Sequence, residues 1–293
     1  MPQTILFWNC NTQKGRSMLR EPDKADIVAR LVVRRRVDVL ILAECDLPSQ
    51  DLLDAFERRG LAFQGPAVSH PRLKFFLCSS ELRLEPVLSD DRLLMYRLAK
   101  RGFQDVTIGG IHLYGRRDAP EEGSRLARMV RHNLTLKRGE RAVGHRRTVL
   151  VGDFNMNPFE MGMIDPINGF GAKMTWELAE IHSRGGPEAD AFFFNPMWSL
   201  MGRSGVPGTY YWDSSDPYNI HWHCLDGVLI RPDLRGIYRD DSLEIVDSIP
   251  DVDGQDIPMI RLAKKHWQIE YSDHLPILFD LEMPSEEREG RNV

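Results

Sequence analysis

The feature that most constrains the fold of this chain is the run TVLVGDFN at residues 148–155. Its first four residues are β-branched or apolar, which favours a buried strand. The strand is predicted to end at Gly152, because an acid and an amide follow directly. Asp153 and Asn155 would then lie at the edge of a sheet, where carboxylate and amide oxygens can hold a hard cation or a phosphate. Taken alone, the run is also typical of an Asx turn.

Other segments show the same pattern, an apolar run that closes on a polar side chain. Residues 37–43 are apolar on both faces of a strand, as expected when a central strand is covered on each side. The polar residues that close the runs are Asn9, Glu44, His112, Asp153 with Asn155, and Asp273 with His274, and Asp226 lies inside a further run at residues 222–230. Such side chains can converge at one edge of a pair of packed sheets.

Segments with helical periodicity alternate with these runs. The spacing of apolar residues predicts helices near residues 24–32, 50–59, 124–137 and 175–183. The residues predicted to form the buried face of the third helix are Leu126, Met129, Val130 and Leu134, and those predicted on its other side are Arg125, Arg128 and Arg131. Helices interspersed among many strands, several of them with antiparallel alternation, indicate two packed sheets with helices on the outside.

The composition is that of an ordinary globular protein, with 42% hydrophobic and 28% charged residues among 293. No linker or internal repeat divides the chain, so we expect one catalytic domain over residues 1–283 and a flexible tail over residues 284–293. With a formal net charge of −5, binding to nucleic acid would require a local basic patch or a bound cation. Since no signal peptide or long apolar run is visible, we expect a cytoplasmic protein without a membrane span, its four cysteines reduced.

The ordered set of segments resembles the endonuclease/exonuclease/phosphatase superfamily, which has the deoxyribonuclease I-like fold. The matching stretches are residues 7–9 (FWN), 42–44 (LAE), 110–113 (GIHL), 152–155 (GDFN), 225–226 (LD) and 272–276 (SDHLP). They occur in the family's order and span nearly the whole chain. The resemblance implies an α+β fold, a four-layer α/β/β/α sandwich of two mainly antiparallel sheets flanked by helices. It also implies metal-dependent hydrolysis of a phosphoester.

The same resemblance implies roles for individual residues. Those implied to hold the metal, Mg²⁺ with Mn²⁺ as a substitute, are Glu44, Asp273 and Asn9. Those implied to act in catalysis are Asp153, His274, Asp226, His112 and Asn155. Asp153 would orient or activate the attacking water, and Asn155 would bind the phosphate. His274 would be the active-site histidine that Asp226 orients, and His112 would be a second acid or phosphate ligand. Whether Asp153 or His274 takes the proton stays open.

The resemblance defines the reaction class better than the substrate. We expect an intracellular nuclease or phosphodiesterase that acts on nucleic acid or nucleotides. The alternative is a phosphatase or phosphodiesterase for a small molecule or a lipid head group. A further alternative is a catalytically inactive binding module on the same fold, although the complete set of acids and both histidines argues against it. The aromatic residues between positions 198 and 222 either stack on nucleobases or pack beneath a loop.

A zinc site is not expected at the segment His221 to Cys224. Its histidines and cysteine would point to opposite faces of a strand, since alternate residues of a strand do so. No second cluster of cysteine and histidine in the sequence completes four ligands.

Overall fold

The computed structural model describes residues 2–11, 24–115, 118–119, 121–183, 192–203, 205–263, 266–269 and 271–283. The tail predicted to be flexible, residues 284–293, lies outside this described part. Within the described residues, no helix combines the length and the apolar character that crossing a membrane requires.

The strands are short to medium in length and extend over the whole described chain. In chain order they are β1 (Gln3–Asn9), β2 (Val39–Ala43), β3 (Leu73–Leu77), β4 (Leu82–Ser89), β5 (Leu93–Lys100), β6 (Val106–His112), β7 (Thr148–Asp153), β8 (Ala172–Lys173), β9 (Phe193–Phe194), β10 (Tyr210–Tyr211), β11 (Trp222–His223), β12 (Asp226–Ile230), β13 (Glu244–Ile245), β14 (Ser248–Pro250), β15 (Asp256–Pro258), β16 (Ile260–Ala263), β17 (His266–Ile269) and β18 (Ile277–Leu281). The first large sheet has the order β13-β18-β1-β2-β3, and the second has the order β4-β5-β6-β7-β12-β9-β8.

Helices flank these sheets. They are α1 (Lys24–Arg35), α2 (Ser49–Glu57), α3 (Glu122–Val143), α4 (Met161–Ile164) and α5 (Trp176–Ser183), with two 3₁₀ turns at Pro196–Ser199 and Pro232–Leu234. In the two large sheets, the described pairs β1–β2, β6–β7 and β8–β9 are parallel and the remaining pairs are antiparallel. The sheets are therefore mainly antiparallel, as predicted.

The core has three layers of apolar side chains. Those between the two sheets include Phe7, Ile41, Tyr96, Val151 and Val228. Those between the first sheet and the helices α1 and α2 include Leu6, Leu40, Leu31 and Phe56. Those between the second sheet and α3 include Leu93, Leu150, Met129 and Leu136. The layer order α/β/β/α confirms the predicted sandwich.

The predicted faces of the third helix were right at Met129, which is 2% exposed, but wrong at two other positions. Leu134 is 57% exposed, whereas Arg125 is only 7% exposed. The buried side of α3 is largely polar, and its polar groups have partners. Arg125 donates to the carbonyl of Ala119, and Asn133 donates to the carbonyl of Gly169. Burial of polar groups is tolerated where such bonds are made, and a count of apolar residues cannot detect them.

The predicted strand over residues 222–230 is divided in two. β11 ends at His223 and β12 begins at Asp226. β11 pairs with β10 in a separate hairpin, whereas β12 lies between β7 and β9 in the second sheet. Asp226 is therefore the first residue of a central strand.

Candidate active site at one edge of the sandwich

Four of the predicted site residues lie at the carboxyl ends of strands. Asn9 ends β1 and Glu44 follows β2, while His112 ends β6 and Asp153 ends β7. β1 is parallel to β2, and β6 is parallel to β7. Neighbouring parallel strands end at the same edge of a sheet, so these side chains emerge together.

Asp226 and the Asp273–His274 pair reach this edge from the other direction. The prediction that an apolar run closes on residues 273–274 was wrong, because these residues precede β18 rather than end a strand. β18 is antiparallel to β1, and β12 is antiparallel to β7 with Asp226 opposite Asp153. The start of an antiparallel strand lies beside the end of its neighbour. All the predicted residues are therefore delivered to one edge by the two sheets.

The backbone at this edge departs from ordinary strand geometry. Glu44 and Asn155 have φ values of +46° and +53°, a region that residues other than glycine seldom adopt. Behind Asp153, a Cβ atom added to Gly152 would lie 1.9 Å from the carbonyl oxygen of Ile111. Only glycine therefore allows β6 and β7 to approach this closely.

Asp153 is the centre of the hydrogen-bond network. The residue is 1% exposed, and its carboxylate accepts bonds from Asn9 Nδ2 at 3.0 Å, the backbone N–H of Asn155 at 2.8 Å and Asn155 Nδ2 at 3.1 Å. His112 Nε2 lies 3.7 Å from Asp153 Oδ2 and 3.2 Å from Glu44 Oε1. Since Asn9 belongs to the first sheet and Asp153 to the second, their bond joins the sheets at the site.

His274 and Asp226 form a buried pair beside Asp153. His274 Nδ1 lies 2.8 Å from Asp226 Oδ2. One ligand atom from each of Asp153, Asp226 and His274 lies within 4.8 Å of the other two. A carboxylate bonded to Nδ1 orients the ring and leaves Nε2 for a substrate. Ser272 holds the segment that precedes β18 in place. Its Oγ donates to the carbonyl of Asn9 at 2.7 Å and accepts from the backbone N–H of His274 at 3.1 Å.

Burial and charge shift the pKa values of these groups. Burial raises the pKa of Asp153 to about 6; the charge of Asp226 acts in the same direction, and the charges of His274 and His112 oppose it. Burial lowers the pKa of His274, but the charge of Asp226, their hydrogen bond and the charges of Asp153 and Asp273 outweigh it and raise the value to about 10. At neutral pH the site therefore holds an imidazolium among carboxylates.

The oxygen atoms next to this network fit a divalent cation. Asn11 is 6% exposed, and its Nδ2 donates to Asp273 Oδ1 at 2.5 Å. Its Oδ1 is buried and has no hydrogen-bond partner among the described residues. By contrast, Asn9 Nδ2 is bonded to Asp153, and Asn9 Oδ1 accepts the backbone N–H of Asn11 at 3.2 Å. An orphaned amide oxygen beside acids is the kind of donor that a hard cation prefers.

Two residues of the site, Asn11 and Ser272, and one beside it, Asn157, were not predicted from the sequence. Asn157 Oδ1 accepts the backbone N–H of Cys224 at 3.0 Å, and its Nδ2 lies 3.0 Å from His223 Nδ1. Asn11 and Asn157 each follow a predicted asparagine by two residues, in WNCN and FNMN. This repeated spacing was the available signal.

The hairpin β10–β11 places aromatic side chains beside His274. The ring of Tyr210 lies 4.8 Å from the His274 ring, and Trp212 stacks on Tyr210 with centroids 6.3 Å apart. Trp212 is 44% exposed. The hairpin therefore extends the site with an accessible aromatic surface.

Several solved structures have a similar fold. The catalytic domain of human Nocturnin with a bound sulfate anion is 14% identical, with a TM-score of 0.54, over 96% of this chain and 93% of that chain. TDP2 from D. rerio, complexed with a single-strand DNA product, is 14% identical, with a TM-score of 0.57, over 96% and 99%. Truncated TDP2 from Caenorhabditis elegans is 15% identical, with a TM-score of 0.54, over 96% and 98%. These likenesses show a shared fold.

Sequence comparison is informative at the level of the family. A search of curated proteins gave no match. The model of the Endonuclease/Exonuclease/phosphatase family matches residues 6–274, a span that contains every predicted site residue. The chain therefore belongs to the Endonuclease/Exonuclease/phosphatase family and is a metal-dependent phosphoesterase.

Proposed function

We propose that this protein is a nuclease or phosphodiesterase that uses Mg²⁺, with Mn²⁺ as a substitute, to hydrolyse phosphodiester bonds of nucleic acid or nucleotides. The observation that carries the proposal is the buried group of Asp153, Asp226 and His274, whose ligand atoms lie within 4.8 Å of one another. It combines a carboxylate that can orient water with an imidazolium that can stabilise an anion. Both kinds of group assist the attack of water on a phosphodiester.

The protein groups would act at defined atoms. Asp153, fixed by Asn9 and Asn155, orients the attacking water toward the phosphorus. His274, held at Nδ1 by Asp226, donates from Nε2 to a phosphoryl oxygen and stabilises its developing charge. His112, between Glu44 and Asp153, binds a second phosphoryl oxygen or protonates the leaving group.

The residues proposed to hold the cation are Glu44, Asp273 and Asn9, with Asn11 as an addition. The unpartnered Oδ1 of Asn11 supports this addition. When bound, the cation polarises the phosphoryl oxygen and stabilises charge on the leaving oxygen.

The aromatic hairpin supports nucleic acid or a nucleotide as the substrate. The exposed ring of Trp212 continues the Tyr210–His274 contact outward from the site. Stacking of a base on such a ring contributes about 1–3 kcal/mol. A nucleobase next to the scissile phosphate would fit this surface. The TDP2 structure with single-strand DNA product belongs to a protein of the same fold.

Hydrolysis by the purified protein tests the proposal. Single-stranded DNA, duplex DNA, RNA and bis-p-nitrophenyl phosphate would each be incubated with Mg²⁺, Mn²⁺ or EDTA. We expect metal-dependent cleavage that His274→Ala reduces by about 10²–10⁴-fold. The matched control is His182→Ala, since His182 is exposed on α5. Cleavage of the small ester without any nucleic acid would favour the small-molecule alternative, and the absence of cleavage from every metal condition would contradict the proposal.

Two further variants test the assigned roles one residue at a time. Asp153→Ala and Asp273→Ala should each lose most turnover while keeping the wild-type melting temperature. A near-normal rate in either variant would remove that residue from the mechanism.

A further inference from the structure

We propose that the cavity next to Glu44 and His112 binds a second phosphate of the substrate, the one that neighbours the scissile phosphate in a nucleic acid strand. This inference rests on the proposed function. The cavity has a volume of about 100 Å³. One water needs only about 10–15 Å³ by this measure, so there is room for a hydrated, phosphate-sized anion.

The cavity shares a wall with the active site. The lining residues that matter for an anion are Glu44, Asp46, His70, Arg72, Lys74 and His112. His112 Nε2 is 3.7 Å from Asp153 Oδ2, so a group in the cavity is one side chain away from the proposed position of the attacking water. A substrate can therefore fill both places at once.

Arg72 is the residue best placed to recognise an anion. It is exposed, and its guanidinium makes no ion pair or hydrogen bond with the residues that the structure describes. Arg235, another exposed arginine, is by contrast paired with Glu177 and Glu180. An unpaired guanidinium can offer two parallel N–H donors to phosphate.

The backbone that carries Arg72 is fixed in place. His70 Nδ1 accepts the backbone N–H of Arg72 at 3.2 Å, and His70 Nε2 lies 2.7 Å from the carbonyl oxygen of Asp90. These contacts tie the segment before β3 to the turn between β4 and β5. Because the backbone is ordered beforehand, less entropy is lost when the guanidinium binds.

The cavity also contains other charged side chains, of both signs. Lys74 is a second cation, and its Nζ donates to the carbonyl of Leu47. Glu44 and Asp46 are the acids. A divalent cation bound at Glu44 would turn the balance of these groups positive, so metal and second phosphate would favour each other.

The cavity and the aromatic hairpin lie on opposite sides of Asp153. In the second sheet β7 is flanked by β6, which carries His112, and by β12, which carries Asp226. Tyr210 contacts the histidine that Asp226 holds. A nucleic acid strand that places a base on the hairpin and a phosphate in the cavity would thus pass over Asp153.

The substitution Arg72→Gln tests the inference. Its matched control is Arg101→Gln, an exposed arginine just beyond β5, at the end of that strand away from His112. Hydrolysis of thymidine dinucleotide TpT, with one phosphate, would be compared with that of TpTpT, with two. We expect Arg72→Gln to raise KM for TpTpT about tenfold, the usual effect of losing a hydrogen bond to a charged group. Rates with TpT and bis-p-nitrophenyl phosphate should stay within about twofold.

Binding without metal gives a second readout, independent of hydrolysis. Labelled oligothymidylate would be titrated in EDTA at several salt concentrations. Arg72→Gln should weaken binding and reduce the slope of log affinity against log salt by about 0.7, the value for one phosphate contact on a single strand. Arg72→Lys should keep most of that slope.

The outcomes separate this inference from the proposed function. If Arg72→Gln and Arg101→Gln behave alike in both assays while the wild type hydrolyses bis-p-nitrophenyl phosphate, the second-phosphate site is overturned and the phosphodiesterase remains. If the wild type hydrolyses nothing, the proposed function fails, and the titration without metal still decides whether Arg72 binds a phosphate.

Discussion

Asp226 illustrates how a single carboxylate can determine the state of its neighbour. The residue is fully buried, and Oδ2 is bonded to His274. Its Oδ1 has no hydrogen-bond partner among the described residues. A buried carboxylate that is hydrogen-bonded to an imidazole strongly favours the charged form of that imidazole. Its contribution to activity should therefore be large even though it does not contact the substrate directly.

We predict that Asp226→Asn reduces kcat by about 10²–10⁴-fold, because an amide keeps the shape of the pair but does not stabilise the imidazolium. The melting temperature should change little. The measurement is steady-state hydrolysis of bis-p-nitrophenyl phosphate with Mn²⁺. Asp256→Asn, at a side chain that is 44% exposed, is the control. A variant that kept half of the wild-type rate would show that the pair is not used in the reaction.

Asp90 shows the same physics in a second carboxylate–histidine pair, away from Asp153. It lies in the turn between β4 and β5, where its Oδ1 accepts the backbone N–H groups of Arg92 and Leu93 at 2.9 Å. Its Oδ2 lies 2.9 Å from His132 Nδ1 on α3. Burial acts to raise the pKa of Asp90. The hydrogen bonds from His132 and from the Arg92 backbone outweigh burial and lower the pKa to about 2.

A pKa below the ordinary value of 3.8 means that the ionised Asp90 stabilises the fold above about pH 4, and that this contribution is lost as the pH falls toward 2. Asp90→Asn should therefore lower the free energy of unfolding by about 2 kcal/mol at neutral pH. The difference in unfolding free energy between this variant and the wild type, measured by urea titration, should shrink as the pH falls from 4 to 2. A difference that stayed constant over this range would contradict the assignment.

At the scale of the element, α3 is notable for burying ions. Glu140 and Arg231, which are 4% and 1% exposed, form a two-pronged pair with Nε–Oε1 and Nη2–Oε2 distances of 2.8 and 2.9 Å. Arg231 follows β12, so the pair fastens α3 to the strand that carries Asp226.

We predict that Glu140→Ala costs about 3–5 kcal/mol of unfolding free energy, because it leaves a buried guanidinium without its counter-ion. The double variant Glu140→Ala/Arg231→Met should recover part of this loss, since the isolated charge is then gone. Urea denaturation of both variants measures the two values. Equal losses in the single and double variants would show that the uncompensated charge is not the cause.

The elements also show what could be read from the sequence. Strand ends were predictable at Asn9 and Asp153, where an apolar run stops at a polar residue, but not at Asp273 and His274, which precede β18. The buried face of α3 was not, because its polar residues are satisfied by groups far away in the chain, such as Arg231 for Glu140. β8 and β9 have two residues each, which is too short for a period to be visible. Asn11 was missed because an asparagine near a strand end also suits a turn.

At the scale of the whole molecule, the site belongs to both sheets. Asn9 and Glu44 come from the first sheet, and His112 and Asp153 from the second. A cation held at this seam binds only the assembled sandwich, so it should stabilise the entire fold by mass action.

We predict that Mn²⁺ at about one hundred times its dissociation constant raises the melting temperature by roughly 5–10 °C. Glu44→Gln should lose most of this shift, whereas Glu57→Gln, at an exposed position of α2, should keep it. Differential scanning calorimetry with Mn²⁺ and with EDTA makes the comparison. An unchanged shift in Glu44→Gln would exclude Glu44 from the metal site.

The pairing of β1 with β18 has a consequence for how activity arises during synthesis. Gln3 lies opposite Leu281, so one edge of β1 is covered only when β18, far along the chain, has been made. That pairing places the Asp273–His274 pair beside Asn9, where Ser272 Oγ bonds to the Asn9 carbonyl. A chain synthesised only as far as β12 lacks the Asp273–His274 side of the site, so we expect it to be inactive until β18 has been made and has paired with β1.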